Sequence, residues 1–490
     1  MQRIILRKEP RLDAKHVAFG YQVDALDAIK DLDYAAIFHE QGLGKSKIAI
    51  DLTFYWLEKK MIDTVLYVVK KTLLYNWKKE FATHTFIQPR VLSQNPRENY
   101  YAFNSPSRLM LTHYEVLKSE HERFKLFLRS RNVGVILDES AKIKNPDSAL
   151  TRAIFELAPL FKKRIIMTGT PVANRPYDIW AQIWFLDQGS SLGHDFNIFK
   201  RDTDLTNELY KDVNTQEIFE ELLNHLFSRI SNFSIRETKR RGIIDLPEKQ
   251  ILTIGTDWEH HQYDLYRQIQ EEMRVVVIKN GIPSEDKAGV ILKRLLRLIQ
   301  ITSNPRLVDP GYAATPGKLE TLVDLVSEIS SKNEKCIIWS SFIANVDWLS
   351  NELKPFGTTK IHGRMNMEQR NQSVDKFLSD DRIQVLVATP GAAKEGLTLT
   401  IANHVIYYDR SFSLDDYLQS QDRIHRISQT KKCFVYKLIM KDSIDEWVDI
   451  LLQAKHLAAQ LAQGDISLEY YRSQMSYEFG EIIRGILKVG

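Results

Sequence analysis

Short runs of apolar residues alternate with amphipathic stretches over the first part of the chain and again over its last part. A short apolar run between two helix-like segments is typical of a buried strand in a parallel sheet. In the first part the pattern predicts strands at Tyr34–Phe38, Val65–Val69, Leu109–Leu111, Val133–Leu137 and Arg164–Met167. In the last part it predicts strands at Cys336–Trp339, Lys360–His362, Val385–Ala388, His404–Tyr408 and Phe434–Leu438.

The alternation stops between about Asp187 and Pro310, where charged sequence carries apolar residues at helical spacing, as in 216–227 and 288–301. Strands alternating with helices imply parallel sheets wrapped by helices. The predicted fold class is therefore α/β, with two tandem parallel-sheet lobes, helical insertions between them and a helical C-terminal tail. The predicted domains are 1–187 for the first lobe, 188–310 for the insertions and linker, 311–445 for the second lobe and 446–490 for the tail.

Composition narrows the class of protein. Hydrophobic residues make up 43% of the chain and charged residues 27%, which excludes wholesale disorder. With only Cys336 and Cys433, neither a disulfide framework nor a four-thiolate zinc site can form. The N-terminus lacks the apolar core of a signal peptide, and no window approaches the roughly 20 apolar residues of a membrane span. We therefore expect a soluble, cytoplasmic protein with no membrane partner, although a net charge of +4 leaves its other partners open.

A glycine-bearing loop, HEQGLGKS at 39–46, follows the first predicted strand and precedes a helix-like stretch. In that order, free backbone N–H groups and the positive end of the helix dipole form an anion site. Lys45 would reach the β- and γ-phosphates of ATP, and the Ser46 hydroxyl would bind Mg²⁺. His39 stands where the full motif has glycine, so a coincidental turn is the alternative. The residues that would line the phosphates are Gly42, Leu43 and Gly44.

Two adjacent acids, Asp138 and Glu139, follow the predicted strand Val133–Leu137. Ligands of parallel α/β sheets bind beyond the carboxyl ends of the strands. Asp138 is thus the natural holder of Mg²⁺, and Glu139 the group that orients or deprotonates an attacking water. An acidic helix cap is the alternative, but the phosphate-binding loop in the same lobe favours the catalytic interpretation.

The first lobe resembles the Swi/Snf-like ATPases of helicase superfamily two, whose lobes are RecA-like. GYQ at 20–22 resembles the adenine-reading Q motif, HEQGLGKS resembles the DEMGLGKT form of the phosphate-binding loop, and DESAKIKN at 138–145 resembles the DEGHRIKN box. VVKKTLLYNWKKEF at 68–81 is similar to motif Ia, LTHYEVL at 111–117 to the TTYE segment, and MTGTPVANRPYDIWAQIWFL at 167–186 to the motif that couples the nucleotide and nucleic-acid sites. The resemblance implies that Gln22 binds the nucleotide.

The second lobe follows the same family order, with KCIIWSSF from 335, IHGRMNMEQR from 361, ATPGAAKEGLTLT from 388 and QSQDRIHRISQ from 419. By this resemblance Gln419 binds nucleotide, while Arg423 and Arg426 act as arginine fingers across the cleft. Between the lobes, IRETK at 235–239 and LPEK at 246–249 are similar to linker signatures of the family. The unadorned form is more like phage or bacterial members than chromatin remodellers.

Three departures from the family pattern affect coupling and DNA contact. Ala141 stands where the family usually has histidine, so polar coupling through that position is missing or moved elsewhere. Thr398 stands where asparagine is usual, and GAAKEG at 391–396 replaces a more glycine-rich run. None of the three involves the residues predicted for hydrolysis, which are Lys45, Ser46, Asp138, Glu139, Arg423 and Arg426.

The resemblance implies an ATP- and Mg²⁺-dependent translocase that tracks duplex or branched DNA without reading its sequence, through phosphate contacts. The candidate DNA contacts are Lys70, Lys71, Thr112, Thr389 and Gly391. Trp77 could stack on a base, although its place in an amphipathic stretch favours a core role. The alternatives are a strand-separating helicase on DNA or RNA, and a nucleic-acid clamp that no longer hydrolyses ATP. The intact GKS, DE and paired arginines argue against the clamp.

Overall fold

The computed structural model describes residues 6, 8–172, 176–203, 213–239, 246–280, 288–393 and 397–474. The chain divides into two compact units. Unit 1 consists of Met1–Asp245 with Ala458–Arg472, and unit 2 of Leu246–Leu457 with Ser473–Gly490. No helix in the described part of the chain combines the length and apolarity that a membrane crossing requires.

Unit 1 is built on a parallel sheet in the order β3-β4-β2-β5-β6-β1-β7. Its strands are β1 Tyr34–Ile37, β2 Thr64–Val69, β3 Arg90–Val91, β4 Leu109–His113, β5 Val133–Asp138, β6 Lys163–Met167 and β7 Ser234–Ile235. The central strands are almost entirely apolar because helices cover both faces of a parallel sheet. β1, β6 and β5 are consecutive neighbours, as are β2 and β4, which brings the segments that follow them to one edge.

One helix of unit 1 precedes the first strand, and one to three helices lie between most successive strands. They are α1 Gly20–Ile29, α2 Lys45–Glu58, α3 Leu74–His84, α4 Pro96–Asn104, α5 Tyr114–Ser119, α6 His121–Ser130, α7 Ala149–Leu157, α8 Trp180–Asp187, α9 Phe196–Thr203 and α10 Val213–Ile230. One core cluster joins α2 and α3 to the face of β1 and β2 and includes the fully buried Trp56 and Trp77. This core fixes where α2 begins, and therefore where the loop before it lies.

Unit 2 is a second parallel sheet, in the order β10-β11-β9-β12-β13-β8. Its strands are β8 Lys249–Thr256, β9 Cys336–Trp339, β10 Thr358–Ile361, β11 Val385–Ala388, β12 His404–Tyr407 and β13 Cys433–Met440. Its helices and the tail helices are α11 His260–Asn280, α12 Ala288–Ser303, α13 Lys318–Ser331, α14 Ile343–Glu352, α15 Met367–Ser379, α16 Pro390–Ala393, α17 Leu414–Gln421, α18 Ile444–Ala462 and α19 Leu468–Gln474. Two apolar clusters, one on each face of the sheet, form its core.

The predicted fold class, two parallel-sheet α/β lobes with intervening helices and a helical tail, is confirmed. The units divide the chain elsewhere than at 187 and 310, however. β7 pairs with β1 and so attaches the segment after 188 to unit 1, whereas β8 pairs with β13 along eight residue positions and attaches the following segment to unit 2. The segment 458–472 of the predicted tail also belongs to unit 1.

Candidate functional site

Three of the predicted motifs lie at one edge of the sheet of unit 1. The predicted phosphate-binding loop, HEQGLGKS at 39–46, follows β1. The segment Thr168–Thr170 follows β6, and Asp138 ends β5. Because β5, β6 and β1 are adjacent and parallel, their carboxyl ends meet at the same edge. This edge is where ligands of open α/β sheets bind.

The phosphate-binding loop depends on glycine at two positions. Gly42 has φ +85° and Gly44 has φ +70°, a left-handed conformation that side-chain-bearing residues rarely adopt. Gly44 caps the N-terminus of α2, so that Lys45 and Ser46 occupy the first turn of this helix. The free N–H groups of that turn, together with the helix dipole, create a site suited to phosphate.

The Lys45 side chain folds toward its own loop. Its ammonium Nζ donates to the carbonyl oxygen of His39 at 2.9 Å and to that of Glu40 at 3.4 Å. A methyl group added to Gly169 would lie 3.4 Å from Lys45 Nζ and 2.6 Å from Gln41 Cγ. The segment after β6 therefore packs directly against the loop, and glycine is needed at 169 for this approach.

Asp138 is held from three sides. Its Oδ2 accepts a hydrogen bond from Trp77 Nε1 at 2.8 Å, its Oδ1 accepts from the backbone N–H of Glu139 at 3.0 Å, and its carbonyl oxygen accepts from the Tyr114 hydroxyl at 2.8 Å. Burial, together with the neighbouring Glu139 carboxylate, raises the pKa of Asp138 to about 6, while Trp77 and Lys45 act in the opposite direction. The Lys45 ammonium and the Asp138 carboxylate thus belong to one electrostatic site.

Glu139 adopts a left-handed backbone conformation, with φ +53°. Such a conformation is uncommon for a residue other than glycine and costs about 1 kcal/mol or more. Strained residues of this kind are often found at functional sites. It turns the chain sharply between β5 and the short 3₁₀ helix Ser140–Ile143. Asp138 therefore ends the strand, and Glu139 lies in the turn that follows it.

The oxygen donors present fit a magnesium ion. Mg²⁺ prefers oxygen ligands, and the Ser46 hydroxyl and Asp138 carboxylate are of that kind. Burial and the neighbouring Glu139 carboxylate disfavour the charged form of Asp138 and raise its pKa. A bound cation would stabilise that charged form. Among the described residues, no three His, Cys, Asp or Glu side chains lie together in a way that could hold a metal ion.

The predicted adenine motif lies against the phosphate-binding loop. Gln22 is 3% exposed, its Nε2 donates to the Leu43 carbonyl at 3.3 Å, and its Oε1 accepts from the Phe19 backbone N–H at 3.0 Å. The Tyr21 hydroxyl also donates to the Leu43 carbonyl, at 2.9 Å. Tyr21 was not predicted to act here, although its place beside Gln22 in the motif is a usable signal. Both residues fix the loop from the side of α1.

The Ala141 side chain provides no polar contact, and the neighbouring Ser140 connects the acidic box to the segment after β6 instead. The fully buried Ser140 hydroxyl donates to Gln182 Oε1 at 2.7 Å, and Gln182 Nε2 donates to the carbonyl oxygens of Pro171 at 3.0 Å and Asp178 at 2.9 Å. Gln182 was not predicted, because a glutamine inside an apolar helix does not indicate which residue its side chain contacts. The polar contact between these two segments is therefore made by residue 140, one position before Ala141.

The candidate DNA contacts of unit 1 follow β2 and β4. Lys70 and Lys71 come directly after β2, and Lys71 Nζ donates to Gln94 Oε1 at 3.1 Å on the surface. Thr112 must be corrected: it lies within β4, is fully buried, and its hydroxyl donates to the Leu92 carbonyl at 3.3 Å. A threonine in the middle of this sheet has no exposed hydroxyl to offer a phosphate.

Trp77 is a core residue, as the amphipathic pattern favours. It is 1% exposed and packs on the rings of Tyr67 at 4.8 Å and Phe81 at 5.4 Å between ring centroids. A base cannot stack on a ring that is covered in this way. Its polar atom nonetheless reaches Asp138, a contact that the sequence did not reveal.

Unit 2 carries the predicted arginines just after α17. Arg423 is 2% exposed and its guanidinium donates to the carbonyl oxygens of Gln419 at 2.8 Å and Leu397 at 3.1 Å. Arg426 is more exposed, with Nε donating to the Asp422 carbonyl at 2.8 Å and Nη1 to the Thr398 hydroxyl at 2.9 Å. Thr398, the second departure from the family pattern, therefore holds the side chain of Arg426.

The remaining candidates of unit 2 lie near the ends of β11 and α17. Gln419 is 3% exposed and donates to Asp415 Oδ1 at 2.6 Å. Thr389 follows β11 and is 8% exposed, whereas Gly391 lies in the short helix α16 and is exposed. His425 pairs with the Pro247 carbonyl at 2.9 Å and so joins the QSQDRIHRISQ motif to the LPEK segment at 246–249. Residues 173–175 and 394–396, which belong to predicted motifs, lie outside the described residues.

Comparison with known proteins agrees with this arrangement. Residues 33–307 match the model of the SNF2-related domain, and residues 317–428 match the model of the helicase conserved C-terminal domain. An uncharacterised ATP-dependent helicase of Mycoplasma pneumoniae is 27% identical over 439 residues, which cover 88% of this chain and 40% of that protein. The ISWI chromatin-remodeling complex ATPase ISW2 of Saccharomyces cerevisiae is 25% identical over 459 residues, or 87% of this chain and 39% of that protein.

Among solved structures, the Sulfolobus solfataricus SWI2/SNF2 ATPase core in complex with dsDNA matches with a TM-score of 0.43 and 23% identity, covering 99% of this chain and 100% of that one. The chain spans less than half the length of the curated relatives it matches. The SNF2-related domain alone accounts for more than half of the residues, and the helicase C-terminal domain follows it directly. The chain therefore belongs to the SNF2-related family of helicase-type proteins.

Proposed function

We propose that this chain is a DNA-dependent ATPase that couples ATP hydrolysis to movement along duplex or branched DNA. The observation that carries the proposal is that three motifs meet at one edge of the sheet of unit 1. There Gly169 lies against Lys45, and the Lys45 ammonium favours the charged form of Asp138. A phosphate-binding loop beside a partly buried carboxylate is the arrangement that phosphoryl transfer requires.

Different residues of unit 1 bind the phosphates, activate the water and support the loop. The backbone N–H groups at the start of α2 bind the phosphate oxygens, and Lys45 exchanges its contacts with the loop carbonyls for the β- and γ-phosphates. Glu139, placed off the strand by its left-handed backbone, orients the attacking water and accepts its proton. Gln22 stays with Leu43 and shapes the loop beside the base.

Ser46 and Asp138 are the residues that would hold Mg²⁺. The ion supplies neutralisation of the charge on the phosphate oxygens when it is bound. For Asp138 the important requirement is that its carboxylate be ionised and fixed in orientation. The hydrogen bonds from Trp77 and the Glu139 backbone meet that requirement.

Arg426 and Arg423 are proposed to act in different ways. Arg426 is the more exposed of the two, which makes it the better candidate for direct contact with the γ-phosphate, and the Thr398 hydroxyl accepts a hydrogen bond from its Nη1. Arg423 is almost fully covered and donates to backbone carbonyls, so that it holds the segment on which Arg426 lies. An arginine finger contributes about 10³ to 10⁵ in rate.

For DNA we propose phosphate contacts through Lys70 and Lys71 in unit 1 and through Thr389 and Gly391 in unit 2. The lysines follow β2 at the same sheet edge as the nucleotide site. Gly391 is exposed in the short helix α16, which follows β11. Backbone contacts of this kind give binding without sequence preference. Their strength should fall steeply with salt, because bound cations are released from the DNA.

The test is ATP hydrolysis measured without nucleic acid and with linear duplex, fork, four-way junction, single-stranded DNA and RNA. We expect duplex or branched DNA to stimulate turnover most. Lys45→Ala should abolish turnover, and Arg426→Ala should lower it about a thousandfold or more. Lys59→Ala, at the exposed far end of the same helix α2, is the matched control and should retain wild-type turnover.

Two results would overturn the proposal. Wild-type turnover in Lys45→Ala would show that the loop is not the ATP site. Stimulation by RNA or single strands alone, with strand separation on forks, would point to a strand-separating helicase in place of a duplex translocase.

A further inference from the structure

Asp138 receives hydrogen bonds from two aromatic side chains that belong to other motifs. Trp77 of helix α3 donates from Nε1 to Oδ2 at 2.8 Å, and Tyr114, the first residue of α5, donates from its hydroxyl to the carbonyl oxygen at 2.8 Å. Both motifs carry residues that the sequence predicts to contact DNA. Their aromatic residues instead face inward, toward the acid that ends β5.

The burial of these two residues makes the contacts rigid. Trp77 is 1% exposed and Tyr114 is fully buried, so neither side chain can change rotamer without disturbing the core. Tyr67 and Phe81 pack on the Trp77 ring and hold the indole N–H in the direction of Asp138. A buried indole N–H that lost its acceptor would remain unsatisfied, which favours this orientation further.

The consequence for Asp138 is that its orientation is fixed. Oδ2 is restrained by Trp77, Oδ1 by the Glu139 backbone N–H at 3.0 Å, and the main chain by Tyr114. A carboxylate oxygen has two lone-pair directions, so each oxygen keeps one direction for a further partner. Hydrogen bonds from outer residues commonly set the direction and affinity of metal-binding carboxylates.

We propose that Trp77 and Tyr114 are positioning residues that aim the Asp138 carboxylate at the cation bound with the nucleotide. The inference rests on the proposed ATP site and adds to it the residues that determine how strongly Mg²⁺ couples to nucleotide binding. Trp77 restrains the carboxylate directly and therefore has the larger effect. Tyr114 acts one step away, through the backbone of the same residue.

The experiment measures how much Mg²⁺ strengthens nucleotide binding. Fluorescent mant-ADP is titrated into the full chain in excess Mg²⁺ and again in EDTA, and the ratio of the two dissociation constants is compared between variants. Trp77→Phe should reduce this ratio about tenfold, because a hydrogen bond to a charged group is lost, while the dissociation constant in EDTA stays within about twofold of wild type. Tyr114→Phe should reduce it about threefold.

Two controls separate positioning from a general loss of packing. Trp56→Phe also removes a fully buried indole of unit 1, whose Nε1 donates to the Lys30 carbonyl at 2.9 Å. Tyr266→Phe removes a buried hydroxyl of unit 2 that accepts a hydrogen bond from the Ile444 backbone N–H at 2.8 Å. Both should lower the melting temperature and leave the Mg²⁺ ratio at its wild-type value.

A wild-type ratio in Trp77→Phe would overturn the inference, and so would equal weakening in Mg²⁺ and in EDTA, since that pattern belongs to a damaged loop. Failure of the proposed function is a different result: in that case the wild-type chain itself would not bind mant-ADP.

Discussion

Arg236 joins the C-terminal tail segment to the strand that precedes the phosphate-binding loop. Its Nε and Nη2 donate to the two carboxylate oxygens of Asp465 at 2.8 and 2.5 Å, and its Nη1 donates to the Phe38 carbonyl at 2.8 Å. Gln463 completes the contact by accepting from Arg236 at 2.5 Å and donating to the Val172 carbonyl at 3.0 Å. We predict that Asp465→Ala releases the tail segment 461–471 from unit 1.

The magnitude follows from the burial of the pair. The side chains of Arg236 and Asp465 are 19% and 13% exposed, so the pair is mostly removed from water. Removing one partner of a buried pair costs about 3 to 5 kcal/mol, and we reduce this to about 2 to 3 kcal/mol for the remaining exposure. That free energy corresponds to about 30- to 150-fold more frequent opening of the segment. Asp465→Asn, which retains one acceptor oxygen, should show a smaller increase.

The assay is hydrogen exchange followed by mass spectrometry on peptides that cover 461–471. The amide N–H groups of Gly464, Asp465 and Tyr471 are hydrogen-bonded within the tail and report its opening. Asp380→Ala is the control, because it breaks an ion pair with Arg382, whose side chain is 90% exposed. Exchange in Asp465→Ala within twofold of wild type would refute the reasoning, since the ion pair would then contribute nothing to docking of the tail.

Two further predictions concern the loop itself. Gly169→Ala places a methyl group 2.6 Å from Gln41 Cγ and 3.2 Å from the Gln41 backbone nitrogen, so the affinity for mant-ADP should fall at least about tenfold. Gly255→Ala is the control: its methyl group meets the flexible Lys441 side chain, and the affinity for mant-ADP should be retained. Burial, with a smaller effect of Lys45, lowers the pKa of His39 to about 4, so folded His39 stays neutral while the unfolded chain takes up a proton below about pH 6.5. Stability should therefore be lost as the pH falls from 6.5 toward 4, by about 2 kcal/mol between pH 7 and 5, and urea midpoints of His39→Asn should show a correspondingly weaker pH dependence.

The sequence predicted the strands that carry the site because buried parallel strands are continuous apolar runs with clear ends. It missed β8, Lys249–Thr256, whose alternating half-exposed pattern reflects an edge position beside β13. It also assigned Thr112 to a surface, because position after a strand-like run does not reveal burial. The contacts of Trp77 with Asp138, and of Arg236 with Asp465, join residues 61 and 229 positions apart. Local patterns carry no information about partners at such separations.

The Ser140–Gln182 contact links the acidic box to the segment after β6 beside the alanine at 141. A glutamine amide has one acceptor oxygen and two N–H donors, and in Gln182 all three functions are used: the oxygen by Ser140, and the nitrogen by the carbonyls of Pro171 and Asp178. Both side chains are fully buried, so the contact lies away from competing water and has one satisfied arrangement. The acidic box after β5 is therefore tied to the segment after β6 without an ionisable group. A histidine at 141 would add a titratable link, whereas this neutral one does not depend on pH in the physiological range.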